Sequence, residues 1–307
     1  MEKTFWFTQP DNIKIYVKKW FTPENKPKAI VQIAHGMAEH IGRYDDFADF
    51  LVENNIFVYG NDHRGHGKTG EKQGILGYFA DENGFETVTD DLYAVTKQIR
   101  QHYPDTSLFL LGHSMGSFLT RHFIQVHSEL VDGVILTGTG HYSRFTSETA
   151  RRIAANLPPK EKSGLMNALV FSSFNKRVQN KKTKLDWLSR DDRMIQSYID
   201  DPYCGFIPTA GFFKDLMTGL TLIHDQKRNR QIRSDLPMLI AGGNEDPVGD
   251  YAKGVWKTAE LYNDAGLNDI MTILFEKSRH ELLNERNRDE IYRILLNWVI
   301  GLTSKIS

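Results

Sequence analysis

The chain has 307 residues with 38 Lys and Arg against 39 Asp and Glu, a formal net charge of -1, which excludes the global field that recruits nucleic acid. Its length accommodates one large α/β domain with an insertion, or two small domains, and either buries a sizeable core. The single cysteine, Cys204, excludes an internal disulfide and fits a reducing compartment; the opening MEKTFWFTQPDN lacks an apolar leader region, and no apolar run approaches the roughly 20 residues that span a bilayer, so a soluble cytoplasmic protein is expected.

Residues 1–21 alternate apolar and polar around Pro10-Asp11-Asn12, with Phe5, Phe7, Ile13, Ile15 and Val17 on shared faces. This is the pattern of an antiparallel hairpin at a sheet edge. Buried-strand candidates follow at 29–35, 56–61, 107–112, 133–137, 238–242 and 271–275, and helical patterns separate most of them. Phe85, Val88, Leu92, Val95 and Ile99 form one apolar stripe, Ser117 to Val126 reads as an amphipathic helix, and Arg288 to Val299 repeats the stripe with Ile291, Ile294, Leu295 and Trp298. Strands alternating with helices predict an α/β fold with a mostly parallel, doubly wound sheet. Between Thr139 and Pro237 the rhythm breaks, with helix-like patterns and no convincing strand. An insertion there lies over the carboxyl ends of the strands, where such sheets bind ligands. Residues 142–225 are therefore expected to form a helical cap on a core of residues 1–141 and 226–307.

Chemistry concentrates at Gly112-His113-Ser114-Met115-Gly116, between an apolar strand and a helix. A serine flanked by glycines in that setting is the nucleophile elbow of an α/β-hydrolase, whose strained turn lifts the hydroxyl above the sheet. The hydroxyl needs a base, the base needs an orienting acid, and the chain order in this fold is Ser, acid, His. The acid is expected after a strand, which favours Asp246 in Ala241-Gly242-Gly243-Asn244-Glu245-Asp246-Pro247, with Glu245 and Asp250 as rivals. The base is expected after the last strand, and Ser278-Arg279-His280-Glu281 begins three residues after Phe275; His280 alone among eleven histidines holds that place. Two backbone N–H groups must face the developing oxyanion: Met115, after the nucleophile, and Met37 in His35-Gly36-Met37-Ala38-Glu39-His40, where Gly36 lets the backbone turn in.

The remaining histidines read mostly as packed or solvated: His102, His122, His127, His141 and His224 are scattered. In Asp62-His63-Arg64-Gly65-His66-Gly67, His63 and His66 invite a metal reading, but no ligand-spaced cluster completes it, and a polar loop bracing the site is favoured. The expected cap is rich in Leu, Met and Phe. Phe171, Phe174, Phe212 and Met217, with Gly36, are the candidate substrate contacts along an apolar tunnel; the alternative is a lid that needs its own core. Between Arg151 and Arg190 stand ten Lys and Arg against Glu161 and Asp186, a local excess of eight. A solvated face explains it, as does transient contact with anionic lipid or a phosphate headgroup.

Five segments together resemble one family. His-Gly-x-x-Glu-His-x-x-Arg-Tyr (His35 to Tyr44), Asp-His-Arg-Gly-His-Gly (Asp62 to Gly67), Gly-His-Ser-Met-Gly (Gly112 to Gly116), Asp-Pro-Val-Gly (Asp246 to Gly249) and Arg-His-Glu (Arg279 to Glu281) are similar to the monoglyceride lipase and bacterial lysophospholipase group of serine hydrolases. The segments from Asp186 to Asp191 and from Asp201 to Gly205 resemble its bacterial members. The resemblance runs from the first hairpin to the last helix and implies Ser114, Asp246 and His280 as triad, with Met37 and Met115 as oxyanion donors. It implies release of fatty acid from monoacylglycerols or lysophospholipids through an acyl-enzyme, with a small lipid ester as partner and no metal or organic cofactor. The rival functions are a small-ester carboxylesterase, an amino-terminal peptidase or an acyltransferase on the same machinery, and a non-catalytic binding module. No oligomeric state is implied.

Overall fold

The computed structural model describes residues 1–306, and the side chains of residues 1–303. In chain order the elements are β1 (Glu2–Thr8), β2 (Lys14–Trp20), β3 (Ala29–Ala34), α1 (Asp45–Glu53), β4 (Ile56–Asn61), α2 (Gly67–Gln73), α3 (Gly84–His102), β5 (Ser107–His113), α4 (Met115–His127) and β6 (Gly133–Thr137). Then come α5 (Arg144–Ala155), α6 (Gly164–Phe171), α7 (Asp192–Asp200), α8 (Ala210–Ile223), α9 (Gln226–Asn229), β7 (Met238–Gly243), α10 (Lys253–Asn263), β8 (Ile270–Phe275) and α11 (Arg288–Ile306).

Eight strands form one sheet in the order β1-β2-β4-β3-β5-β6-β7-β8. The first hairpin is antiparallel and docks antiparallel on β4, and every later pairing is parallel. Each central strand is buried on both faces, which is why β3 to β7 read as continuous apolar runs rather than alternations. The expected strands are all present, with ends that shift by one residue: His35 lies beyond β3, and His113, Gly243 and Ile270 join β5, β7 and β8. Two cores flank the sheet. One packs Val88, Leu92, Phe123, Phe213 and Tyr262 from α3, α4, α8 and α10; the other packs Phe47, Leu51, Ile291 and Leu295 from α1 and α11.

Two sequence expectations change here. Helix α4 is not amphipathic in place, because residues Met115 to Gln125 are all buried. Its outward side is covered by α8, which crosses onto α3 and α4 from the long interval between β6 and β7. Accordingly Phe212 and Met217, expected along an acyl tunnel, are core residues: Phe212 is 0% exposed with its ring 4.7 Å from Phe79, and Met217 is 7% exposed in the same cluster. Both point inward because α8 needs a buried stripe to seat it. Within the interval each helix starts on a side-chain cap: Ser143 for α5, Ser163 for α6, Asp191 for α7 and Thr209 for α8. Among the described residues no helix is long and apolar enough to cross a membrane.

The seating of α8 depends on Gly219, where an added Cβ would lie 2.3 Å from the Phe85 ring. Gly219→Ala is expected to lower stability by about 1–3 kcal/mol, the usual range for an overpacked core, in denaturant unfolding. Gly164→Ala, with nothing within 4 Å of its added Cβ, serves as the control that stays near wild type.

Candidate active site

The site is built where β5 turns into α4. Ser114 carries the turn at φ 52° and ψ -121°, a conformation that non-glycine residues rarely hold. Its N–H donates to the Thr137 carbonyl at 2.9 Å, which ties the turn to β6. The flanking glycines are steric requirements. A Cβ on Gly116 would lie 1.9 Å from the Ala34 carbonyl oxygen, and one on Gly112 would lie 2.4 Å from the Gly116 oxygen. The first turn of α4 therefore packs against the end of β3, where the loop His35 to Glu39 begins.

Of the three carboxylates left open by the sequence, only Asp246 reaches the histidine. His280 Nδ1 is 3.0 Å from both Asp246 oxygens, and Asp246 Oδ1 also accepts the Val248 N–H at 2.8 Å. Glu245 turns instead towards Arg279 at 3.8 Å, and Asp250 is exposed. Asp246 and His280 are 0% and 2% exposed. Burial by itself would push the His280 pKa down, but the adjacent Asp246 charge and hydrogen bond outweigh it, so the imidazole stays protonated above the ordinary 6.5. His113, whose ring centre lies 4.8 Å from that of His280, has no such partner, and burial drives it down to about 4.

Ser114 and His280 open together on a cavity of about 700 Å³. Gly36 and Met37 line its floor, and Phe171, Trp187, Leu188 and Phe206 supply much of its apolar wall. Phe174 stands behind that wall, its ring 4.9 Å from Trp187, and is not on the surface of the cavity. Trp187 was missed as a site residue, although the segment containing it was singled out. Its ring lies 5.0 Å from His280, and its neighbours bind the histidine loop: Glu281 N–H donates to the Leu188 carbonyl at 2.7 Å, and Arg279 donates to those of Asp186 and Ser189.

The loop that carries Met37 is braced from below. His35 Nδ1 faces the Gly36 carbonyl at 2.7 Å, His35 Nε2 accepts the His63 N–H at 3.0 Å, and His63 Nε2 faces the His35 carbonyl at 3.2 Å. These partners assign neutral tautomers, and burial pushes His35, His63 and His66 down, His66 to about 4. Among the described residues neither the Met37 nor the Met115 N–H donates to a protein acceptor, and Met115 opens a helix whose first N–H groups have no internal partner. Elsewhere, His40, Asp201 and Cys204 bring ligand-type atoms within 4.8 Å of one another. They do not suit a cation: His40 Nδ1 accepts the Gly42 N–H, so a metal on Nε2 would require a doubly deprotonated ring.

A protein-family model described as Hydrolase_4, serine aminopeptidase S33, matches residues 25–287. The chain belongs to that family. A monoglyceride lipase homolog of Monkeypox virus is 26% identical over 301 residues, covering 95% of this chain and 96% of the viral protein. The monoglyceride lipase of Mus musculus is 26% identical over 269 residues, covering 87% and 80%. The crystal structure of a thermostable carboxyl esterase from Bacillus coagulans aligns with a TM-score of 0.91 at 27% identity, covering 98% of this chain and 99% of the esterase. The protein is thus a hydrolase with the α/β-hydrolase fold and is similar to monoglyceride lipases and esterases.

The electrostatic coupling of His280 to Asp246 is open to direct measurement. The His280 imidazole is expected to titrate above 6.5 by NMR. Asp246→Asn removes the favourable charge, leaves the burial, and should bring the midpoint down; an unmoved midpoint would rule the carboxylate out as its cause.

Proposed function

We propose that the protein is a serine carboxylic-ester hydrolase that releases fatty acid from monoacylglycerols or lysophospholipids through an acyl-enzyme. The observation that carries this reading is the convergence of a strained serine, a buried His280–Asp246 pair and two unengaged N–H groups on one largely apolar cavity. Ser114 Oγ attacks the ester carbonyl carbon while His280 Nε2 takes its proton. The carbonyl oxygen, now anionic, receives the Met37 and Met115 N–H groups. His280 then gives the proton to the departing alcohol, the C–O bond breaks, and the acyl group stays on Ser114. Water repeats the sequence and frees the fatty acid. Asp246 keeps Nδ1 protonated throughout and stabilises the transient imidazolium.

Phe171, Trp187 and Leu188 suit an acyl chain. An apolar slot of this kind discriminates weakly, by roughly 1–3 kcal/mol per methylene, so tolerance of chain length is expected. The cover over the cavity is formed by α6, α7 and their loops, within the 142–225 interval; α8 belongs to the core layer. The aminopeptidase in the family's description would require a carboxylate for the substrate ammonium. The carboxylates at this cavity, Glu39 and Glu281, are already engaged by Arg43. Lys181 and Lys184 line the cavity instead, which supports an uncharged or phosphate-bearing headgroup.

Part of the basic excess is neutralised, since Lys160, Lys182 and Arg190 pair with Asp81, Asp192 and Glu285. Exposed Phe145, Leu165 and Leu169 nevertheless give α5 and α6 an apolar outer face, which supports transient contact with lipid surfaces. Vesicle binding that weakens with salt would assign a share to the lysines, whereas salt-independent binding would leave the apolar face alone.

Fatty-acid release from a monoacylglycerol and from a lysophosphatidylcholine of the same acyl chain tests the function, with Ser114→Ala as blank. That variant is expected to lose about six orders of magnitude in kcat, as when other serine triads lose the nucleophile. Hydrolysis that survives it, or failure of a fluorophosphonate to label Ser114, sinks the mechanism. Preference for the lysophospholipid would assign Lys181 and Lys184 to the phosphate.

A further inference from the structure

Beneath the loop that carries Gly36 and Met37 lies a group of buried charges that the reaction as written leaves unused. Glu39 and Arg43 follow β3, and Glu281 is the residue after His280. Their side chains are 4%, 9% and 6% exposed. Arg43 stands between the carboxylates: Nη1 donates to Glu39 Oε2 at 2.7 Å and to Glu281 Oε1 at 2.6 Å, and Nη2 donates to Glu281 Oε2 at 2.7 Å. Glu39 Oε1 accepts the Gly36 N–H at 2.5 Å and the Tyr44 hydroxyl at 2.9 Å. The Tyr198 ring covers the guanidinium at 4.8 Å.

Desolvating three charges is expensive, and an apolar filling of the same volume often serves stability as well. The bonding pattern points to another use. The Gly36 N–H belongs to the peptide immediately before the one that carries the Met37 N–H, so holding the first restricts where the second can point. At the other end, Glu281 anchors the loop that presents His280.

We infer that Glu39, Arg43 and Glu281 form a positioning device that holds the oxyanion loop and the catalytic-histidine loop in one frame, with Arg43 as the bridge. The inference rests on the roles given above to Ser114, His280 and Met37. The trio also carries a net negative charge next to His280. The charged and titratable groups facing His280 are Asp246 from the loop after β7, His113 from the elbow, Glu281 beside it and Glu39 across Arg43; each carboxylate favours the imidazolium.

The test is steady-state hydrolysis of a monoacylglycerol across pH by Glu39→Gln and Arg43→Lys, with Ser114→Ala run alongside. Glu39→Gln keeps an acceptor for Gly36 but removes the charge. Its kcat should fall about tenfold or more, less than the roughly hundred- to thousandfold loss when an oxyanion donor is removed outright, with KM near wild type and the acid limb of kcat moved to lower pH. Arg43→Lys keeps the charge and loses the two-pronged geometry, so its kcat should fall while the limb stays in place. Wild-type kcat in Glu39→Gln, an unmoved limb in that variant, or a loss confined to KM overturns the inference. If Glu39→Gln does not fold, a folded Arg43→Lys with wild-type kcat overturns it. Activity retained by Ser114→Ala would instead remove the reading of the site on which the device depends.

Discussion

Everything at the site is arranged around the approach of the first turn of α4 to the end of β3. A Cβ at Gly116 would sit 1.9 Å from the Ala34 carbonyl oxygen, closer than any side chain permits. With glycine there, the elbow and the loop after β3 share a wall, and the Gly36 Cα faces the Ser114 side chain: a Cβ on Gly36 would lie 3.2 Å from that of Ser114. The strained φ of Ser114 is sustained because the surrounding contacts over-determine it: the Thr137 carbonyl takes its N–H, and the buried helix α4 leaves it no room to relax.

Around that contact the protein keeps two electrostatic regimes a few ångströms apart. Histidines 35, 63, 66 and 113 have no carboxylate partner, and burial keeps them neutral, so the first three serve as fixed donors and acceptors for the backbone and His113 bonds the Thr137 hydroxyl. For Glu39 and Glu281 burial would raise both carboxyl groups, but Arg43 between them holds both below the usual carboxylate range. His280 faces Asp246 and is pushed the other way from its neighbours. Among these buried imidazoles, the one whose protonated form is favoured is thus the one that lines the cavity with Ser114. The same side-chain chemistry becomes framework or base according to what stands next to it.

The covering segment is fastened to this machinery as well as laid over it. Trp187, Leu188 and their neighbours hydrogen-bond through their carbonyls to residues 279–281, and Arg190 pairs with the buried Glu285. On the opposite side, the Tyr198 hydroxyl and the Gly205 N–H both bond the Ala38 carbonyl in the loop after β3. Two stretches of the cover, 186–190 and 198–205, are therefore tied to the two loops that hold the proposed base and the proposed donor Met37.

The alternation of short apolar runs with helical stripes was enough to place every strand of the sheet, because strands buried on both faces leave continuous apolar segments that local chemistry cannot disguise. Ser114, Asp246 and His280 were likewise legible as candidates, since each sits in a turn or loop that follows a strand and strands are what the pattern reveals best. Long-range packing was not legible. Phe212 and Met217 look like any apolar residues near a ligand, and only the seating of α8 on α3 and α4 decides that they face the core, while Trp187 and Phe171 face the cavity. Nor could spacing reveal that Glu39 and Glu281, 242 positions apart in the numbering, share one guanidinium. By itself the sequence determined the strands and the glycine-flanked turn at Ser114, because these depend on local periodicity and on glycine sterics. Which side chains line the cavity and which charges meet beneath it was decided by the tertiary structure alone, because those contacts exist only once distant segments are packed together and shielded from water.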